Sequence, residues 1–373
     1  MKTFPGHLKR LEEQGRYRSL SSEVRGVDLT SNDYLGLAGG DYLRESARRF
    51  FEEGGAVGSG ASRLLRGHHE AHLELEAFAA DYFGAERALF FASGFQANIA
   101  LFQALPARGD VIVFDELVHA SARQGIQASA AKHIKARHND TQDFEDALKR
   151  AKELVSSGGQ IWIAVESVYS MDGDFAPLES LYALAVAYDA VLIVDEAHGV
   201  GVCGPRGKGV SEVLVQAHGY ERLITLHTCG KAIGVAGGLV CGSADVIEYL
   251  INTARGFIYS TAPMPVQAHL VQKSLEFIGS EEGRQRRQSL ASVCDCVKLK
   301  LGGEGSHIVP IILGADEVAL RTAAALQAAG YDIRAVRPPT VPEGTARLRL
   351  SLSANLTQAQ MEQFVRDYNL LIP

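Results

Sequence analysis

The chain has 373 residues, 46% hydrophobic and 22% charged, with a formal net charge of −7. That length predicts one large domain with smaller additions, and the acidic balance argues against a nucleic-acid binder, whose phosphate contacts demand a basic face. No apolar run reaches the roughly 18 residues of a membrane span, and residues 1–20 lack the apolar core of a secretory signal, so the cytoplasm is the expected compartment. In chain order, residues 1–20 are charged and helical in pattern, with Leu8 and Leu11 on one face. VDLTSNDYLGL (27–37) reads as a short strand running into turns. From about 41 onward, apolar strands RALFFAS (87–93), DVIVFD (110–115), QIWIAVES (160–167), AVLIVDE (190–196) and RLITLHT (222–228) alternate with helical stretches such as 68–84, 141–154 and 177–188. This pattern predicts an α/β fold, a mainly parallel sheet with helices on both faces. Beyond about 262 the pattern changes: HIVPIIL and ARLRLSLS flank the helix EVALRTAAALQAAG, which reads as a smaller α+β carboxy-terminal domain. The expected division is an arm over 1–40, a large domain over 41–262 and a small domain over 263–373.

In such sheets ligands gather outside the carboxyl ends of the strands. The polar residues there are Ser93-Gly94, Asp115, Glu166-Ser167, Asp195 and Thr228. Asp195 closes a buried run, where a carboxylate is costly without a partner. Lys231 follows the next strand within GKAIGVAGG, where small apolar neighbours would desolvate the amine and favour its neutral, nucleophilic form. Together they are what pyridoxal 5'-phosphate (PLP) needs: a lysine for the Schiff base and an acid that keeps the pyridine nitrogen protonated. ASGFQAN (92–98) adds a strand–glycine–helix turn whose amino-terminal N–H groups suit a phosphate. The bland alternatives are a helix-capping acid, a solvated lysine and a purely structural turn.

Other residues are more ambiguous. His198 is placed for a cofactor oxygen or for the core, and His119 for stacking on an aromatic ring or for capping a helix. His68 and His72, one helical turn apart, are a possible metal pair without an evident third ligand, so no metal is expected. GSGASRLLRG (58–67) reads equally as a packing loop or an interface loop. The five cysteines form no CxxC pair, and Cys229 near Lys231 reads as a small space-filling side chain. Arg337, Arg347 and Arg349 offer cations for a substrate carboxylate; strand alternation puts Arg347 and Arg349 on one face and leaves open which of them reaches the site.

With these residues assembled, the chain resembles the PLP-dependent α-oxoamine synthases of fold type I almost end to end. The resemblance rests on SNDYLGLA (31–38), GSGASRLLRGHHEAHLELE (58–76), FASGFQAN (91–98), HASARQGI (119–126), ESVYSMDGDFAPL (166–178), VDEAHGVGVCGPRGKG (194–209), HTCGKAIGVAGG (227–238), IYSTAP (258–263) and RPPTVPEGTARLRLSLSAN (337–355). It implies that Lys231 carries the cofactor, Asp195 binds its pyridine nitrogen and His119 stacks on its ring. Gly94, Phe95, Ser170, His198 and Thr228 would be further cofactor contacts. Ser260 and Thr261 would reach the phosphate from a neighbouring subunit, which implies a homodimer. Arg18, His119, Thr340 and Arg349 would contact substrate, with Arg16 competing for the place of Arg18. The RPPTVPEGTARLRLSLS segment is similar to the branch that condenses L-alanine with a pimeloyl thioester, on CoA or acyl-carrier protein, in biotin synthesis. The alternatives are sister synthases taking glycine or serine with another acyl-CoA, and a PLP-binding carrier without turnover.

Overall fold

The computed structural model describes residues 4–18, 20, 26–301 and 306–371. Eight strands lie in its first two thirds: β1 (Val27–Asp28), β2 (Arg87–Phe91), β3 (Val111–Asp115), β4 (Lys132–Ala136), β5 (Ile161–Glu166), β6 (Ala190–Asp195), β7 (Leu223–Thr228) and β8 (Gly238–Gly242). Seven of them form one sheet in the order β2-β8-β7-β6-β5-β3-β4. The pairs from β4 through β7 are parallel, and β8 runs antiparallel to both β7 and β2. The apolar runs are continuous because alternate residues enter two different cores. Val113, Ile163, Val165, Leu192 and Val194 pack into one, and Ile112, Trp162, Ala164, Ile193 and Ile224 into the other.

Two sheet strands differ from the sequence expectation. β4, KHIKA, closes the β3 edge with Lys132, His133 and Lys135 largely in solvent, so charge masked its strand character. β8, GLVCG, sits between glycines, which hid it as a strand; it supplies the antiparallel pairs of a sheet that is mainly parallel, as expected.

Four further strands, β9 (Ile308–Gly314), β10 (Tyr331–Asp332), β11 (Ala335–Val336) and β12 (Ala346–Ser351), build the smaller part. Here β11, β12 and β9 form an antiparallel sheet, while β10 pairs in parallel with β1. The early segment 27–34 is thereby tied to the carboxy-terminal strands: Val27 pairs with Tyr331, and the Ser351 N–H donates to Leu29 O at 2.9 Å. Helix Pro265–Gly279 packs on helices Glu70–Phe83 and Asp41–Glu52. No helix among the described residues is long and apolar enough to cross a membrane.

The two parts meet at the turn after β5. Gly173 has φ +73, and its carbonyl accepts from the Ser306 N–H at 2.9 Å. A Cβ on Gly173 would stand 2.1 Å from Ile308 O, against backbone that cannot yield. Gly173→Ala therefore adds a clash to a left-handed strain, and we expect a loss of about 2 kcal/mol in unfolding free energy. Thermal or denaturant unfolding checks this; an unchanged midpoint would refute the reading of this seam.

Candidate active site

Four strand ends on one edge of the sheet supply a cavity of about 110 Å³ lined by Gly94, Phe95, Asn98, His119, Ser121, Glu166, Asp195, Ala197, His198, Leu226, Thr228 and Lys231. Glu166 and Asp195 are register partners at the last rung of β5 and β6. Thr228 ends β7, and the turn after β2 lies against it. A Cβ on Gly94 would meet Thr228 Oγ1 at 2.7 Å, so only glycine lets the helix Gly94–Ala104 begin there. Ser93 caps that helix, accepting from the Gln96 N–H at 3.1 Å. The first N–H groups, on Gly94 and Phe95, have no intrahelical partner and remain for a ligand.

Lys231 rides on the turn between β7 and β8, closed by the Cys229 N–H to Gly237 O at 2.9 Å. Gly234, at φ +73, fits this turn against Leu37 and Ala38. Lys231 Nζ lies 2.6 Å from His198 Nε2, and His198 Nδ1 lies 2.6 Å from the Tyr34 hydroxyl. Tyr34 in turn donates to Asn32 Oδ1 at 2.9 Å and accepts from Arg349 Nη2 at 3.4 Å. These roles are mutually consistent if Lys231 donates to Nε2 and His198 carries its proton on Nδ1. Burial, and then the charges of Lys231 and Arg349, hold the His198 imidazole well below its usual range, hence neutral. Burial also pulls the Lys231 amine down, opposed by the charges of Asp195 and Glu166.

Asp195 is buried with neutral partners only: Asn98 Nδ2 donates to Oδ2 at 2.7 Å and the Ala197 N–H to Oδ1 at 2.9 Å. Glu166 is fully enclosed, its Oε1 has no hydrogen-bond partner, and burial plus the Asp195 charge push its carboxyl up. His119 caps helix Ala120–Ala128, where its Nδ1 accepts from the Ser121 N–H at 3.2 Å. That bond leaves the neutral ring with its proton on Nε2. Burial first, then Lys231, lower its basicity against the pull of Asp195.

A second, larger cavity of about 650 Å³ adjoins His119 and is bounded by Ser170, Met171, Thr340, Val341 and Arg347, among others. Arg347 and Arg349 both emerge from β12 but have different company. Both are buried; Arg347 pairs with Asp172, whereas Arg349 donates to Ser170 O, Ser351 Oγ and Asn32 Oδ1. Among the described residues no carboxylate pairs with Arg349.

Of the residues singled out in the sequence, the structure brings Gly94, Phe95, His119, Asp195, His198, Thr228 and Lys231 together around the smaller cavity, and Ser170 and Thr340 onto the larger one. Ser260 and Thr261 line neither; Thr261 bridges Ser62 of the same chain. Arg18 is exposed and lines neither, while Arg337 donates to Gly15 O near it. His72 spends both nitrogens on backbone, accepting from the His69 N–H and donating to Pro263 O, and His68 accepts from Arg63 Nε. Among the described residues no group of three His, Cys, Asp or Glu side chains could hold a metal ion. Sequence reasoning missed Asn98, Ser121 and Tyr34, all inside quoted motifs, and His138.

His138 follows β4, between Asp115 at 2.9 Å from Nδ1 and Asp174 at 2.7 Å from Nε2. Burial would lower its basicity, but hydrogen bonds and charge from the two carboxylates push it up to about 10.

PLP fits the smaller cavity on three counts: a desolvated amine, a buried carboxylate without a cation of its own on Oδ1 or Oδ2, and free N–H groups at a helix start beside Thr228. The chain matches the family of class I and II aminotransferases over residues 24–367. Fold and donor set thus define a fold type I, PLP-dependent enzyme. The chain is 40% identical over 384 aligned residues to 8-amino-7-oxononanoate synthase of Herminiimonas arsenicoxydans, covering 97% of each. It is 43% identical over 345 residues to that of Chromobacterium violaceum, covering 90% of this chain and 86% of the relative. Among solved structures, a serine palmitoyltransferase of Sphingomonas wittichii has a TM-score of 0.89 at 26% identity, covering 99% of this chain and 96% of that one. An 8-amino-7-oxononanoate synthase from Francisella tularensis has 0.76 at 29%, covering 92% and 97%. The chain belongs to the 8-amino-7-oxononanoate synthase family of PLP-dependent acyltransferases.

Two outcomes follow from the geometry. Lys231→Ala should lose the visible absorption of lysine-bound PLP; a variant keeping both that band and turnover would exclude Lys231. For His138, a folded value near 10 against 6.5 unfolded means that its pairing stabilises fully below pH 6.5. That contribution then declines by about 1.4 kcal/mol per pH unit and is gone above about 10. Denaturant titrations across pH 6–10 should show a shallower alkaline fall for His138→Ala than for the parent, and parallel curves would contradict the pairing.

Proposed function

We propose that the enzyme condenses L-alanine with a pimeloyl thioester, releasing carbon dioxide and the carrier thiol and forming 8-amino-7-oxononanoate for biotin synthesis. The observation that carries this reading is Arg349: a buried guanidinium with no carboxylate partner among the described residues, joined through Tyr34 and His198 to Lys231. A buried cation of this kind suits the α-carboxylate of a small amino acid, toward which arginine makes strong charge-assisted hydrogen bonds. The named activity of the curated relatives supports the product.

When bound, PLP supplies an electron sink at the amino acid's α-carbon. Asp195 is the residue we assign to its pyridine nitrogen, and His119 would stack on its ring. Gly94 and Phe95 offer their N–H groups, and Ser170, His198 and Thr228 further polar contacts. Lys231, desolvated and therefore readily neutral, removes the α-proton as general base. His119, with its proton on Nε2, is the donor we assign to the thioester carbonyl, where negative charge develops during attack. The larger cavity beside His119, which Thr340 lines, then receives the acyl chain, and Arg18, outside both cavities of the single chain, is kept as a further substrate contact. Ser260 and Thr261 lie outside the single-chain cavity, and we assign them to the phosphate of a partner subunit in a homodimer.

The test mixes holoenzyme with alanine, glycine or serine and with pimeloyl-CoA, pimeloyl-carrier protein, acetyl-CoA or palmitoyl-CoA, and measures the amino ketone. Turnover with alanine and a pimeloyl thioester is expected. A preference for glycine or serine with another acyl-CoA would replace this reading with a sister synthase. Bound PLP without any amino-acid response would indicate a carrier.

A further inference from the structure

We propose that His138 is a positioning residue for the amino acid's carboxylate, acting through the turn Tyr169–Asp174 that holds Arg349 and Arg347. The proposal rests on the preceding assignment of Arg349 to that carboxylate. Its starting point is Asp115, a fully buried acid at the end of β3 that touches neither cofactor nor substrate in the scheme above. Asp115 accepts from the Leu117 N–H at 2.8 Å, the Asn139 N–H at 2.9 Å and His138 Nδ1 at 2.9 Å. It is thus a fixed anchor belonging to the large sheet. His138 extends the anchor by donating from its other nitrogen to Asp174 Oδ2, which also accepts from Asn139 Nδ2 at 2.7 Å. Donating from both nitrogens requires the imidazolium, whose charge the two aspartates share.

Asp174 closes the turn in question. Its carbonyl accepts from the Tyr169 N–H at 3.0 Å, and the Gly173 N–H donates to Tyr169 O at 2.9 Å. The Tyr169 ring stands edge-on to His138, with centroids 4.3 Å apart, so the imidazolium is braced sideways as well as at both ends. Between these fixed points lie the groups that hold the arginines. Ser170 O accepts from Arg349 Nε at 2.5 Å, and Met171 O and the Asp172 carboxylate accept from Arg347 Nη1. Arg349 therefore takes part of its orientation, beside Ser351, Asn32 and Tyr34, from a turn that His138 braces. His138 and Asp174 also form part of the wall of the 650 Å³ cavity, and neither lines the smaller cavity around Lys231. Removing His138 should accordingly disturb carboxylate capture and spare the lysine. A displacement of about an ångström at such a contact is enough for a large loss of productive binding.

The test uses holoenzyme of the parent, His138→Ala, His138→Lys and Asp174→Asn. Asp174 is partly exposed, so its amide variant probes the array where His138→Ala fails to fold. Alanine dissociation constants come from titration of the PLP absorbance, and kcat and KM from steady-state turnover. For His138→Ala we expect the alanine Kd and KM to rise about tenfold or more, with kcat within about twofold and the visible PLP band intact. Asp174→Asn should move in the same direction by less, and His138→Lys, which restores a cation between the aspartates, should recover much of the loss. A folded His138→Ala or Asp174→Asn with parental alanine Kd and KM would overturn the proposal, as would a loss confined to kcat or to the PLP band. Failure of the parent itself to respond to alanine would overturn the preceding functional reading instead.

Discussion

Two basic side chains, the half-buried Lys231 and the buried Arg349, are joined only through neutral groups, and the site depends on how that arrangement is kept stable. Unpaired charge in a protein interior is expensive, so the wall between them must supply hydrogen bonds without adding further positive charge. Tyr34 and His198 do this. Burial keeps the imidazole neutral, so it accepts from the lysine on one side and donates to the phenol on the other. His307, edge-on to Tyr34 with centroids 4.1 Å apart, is likewise driven down by burial, to about 3, and adds no third cation. On the opposite side, enclosure and the neighbouring charge raise the Glu166 carboxyl, while Asp195 is braced by an amide and a backbone N–H.

The fold assembles this wall from distant pieces. The sheet edge delivers the acids and Thr228 from β5, β6 and β7, while the two cations arrive by different routes. Lys231 comes on a hairpin between β7 and β8, and Arg349 on β12 of the smaller sheet. Asn32 and Tyr34 stand between them because β1 pairs with β10 and carries the early segment into the carboxy-terminal strands. A substrate held by Arg349 therefore acts on a surface made from both parts of the chain. The Tyr169–Asp174 turn is the large sheet's hand on that surface.

Much of this was legible in the sequence where burial on both faces writes a long apolar run and a polar residue ends it. Asp195, Thr228 and the Gly94 turn stand out for that reason, and Lys231 for its small neighbours. β4 did not stand out because an edge strand has one solvated side and here carries two lysines and a histidine. Strand periodicity could not divide Arg347 from Arg349, since residues two apart share a face. What divides them is Asp172, on a turn 175 residues earlier in the chain. His138 has the same cause of obscurity: its meaning lies in carboxylates 23 and 36 residues away. Pairing across the fold leaves no local pattern to read. Ser260 and Thr261 are a different case, because their expected role belongs to a second subunit, and in the single chain Thr261 bridges Ser62.

His119 is the residue common to both cavities, and its chemistry follows from its cap position. A histidine at a helix start must satisfy a backbone donor, and the Ser121 N–H takes Nδ1. With the ring kept neutral by burial, the proton has to reside on Nε2, so the side chain is a donor toward whatever oxygen approaches it. Asn98 Nδ2 donates both to Ser121 Oγ and to Asp195 Oδ2, which links the cap to the acid we assign to the pyridine nitrogen. In the proposed reaction, that acid would hold the group that takes up charge from the α-carbon, and His119 would face the thioester oxygen where charge gathers later. One hydrogen-bonded array thus spans both places where charge must be received, and the helix cap fixes the tautomer that the second of them requires.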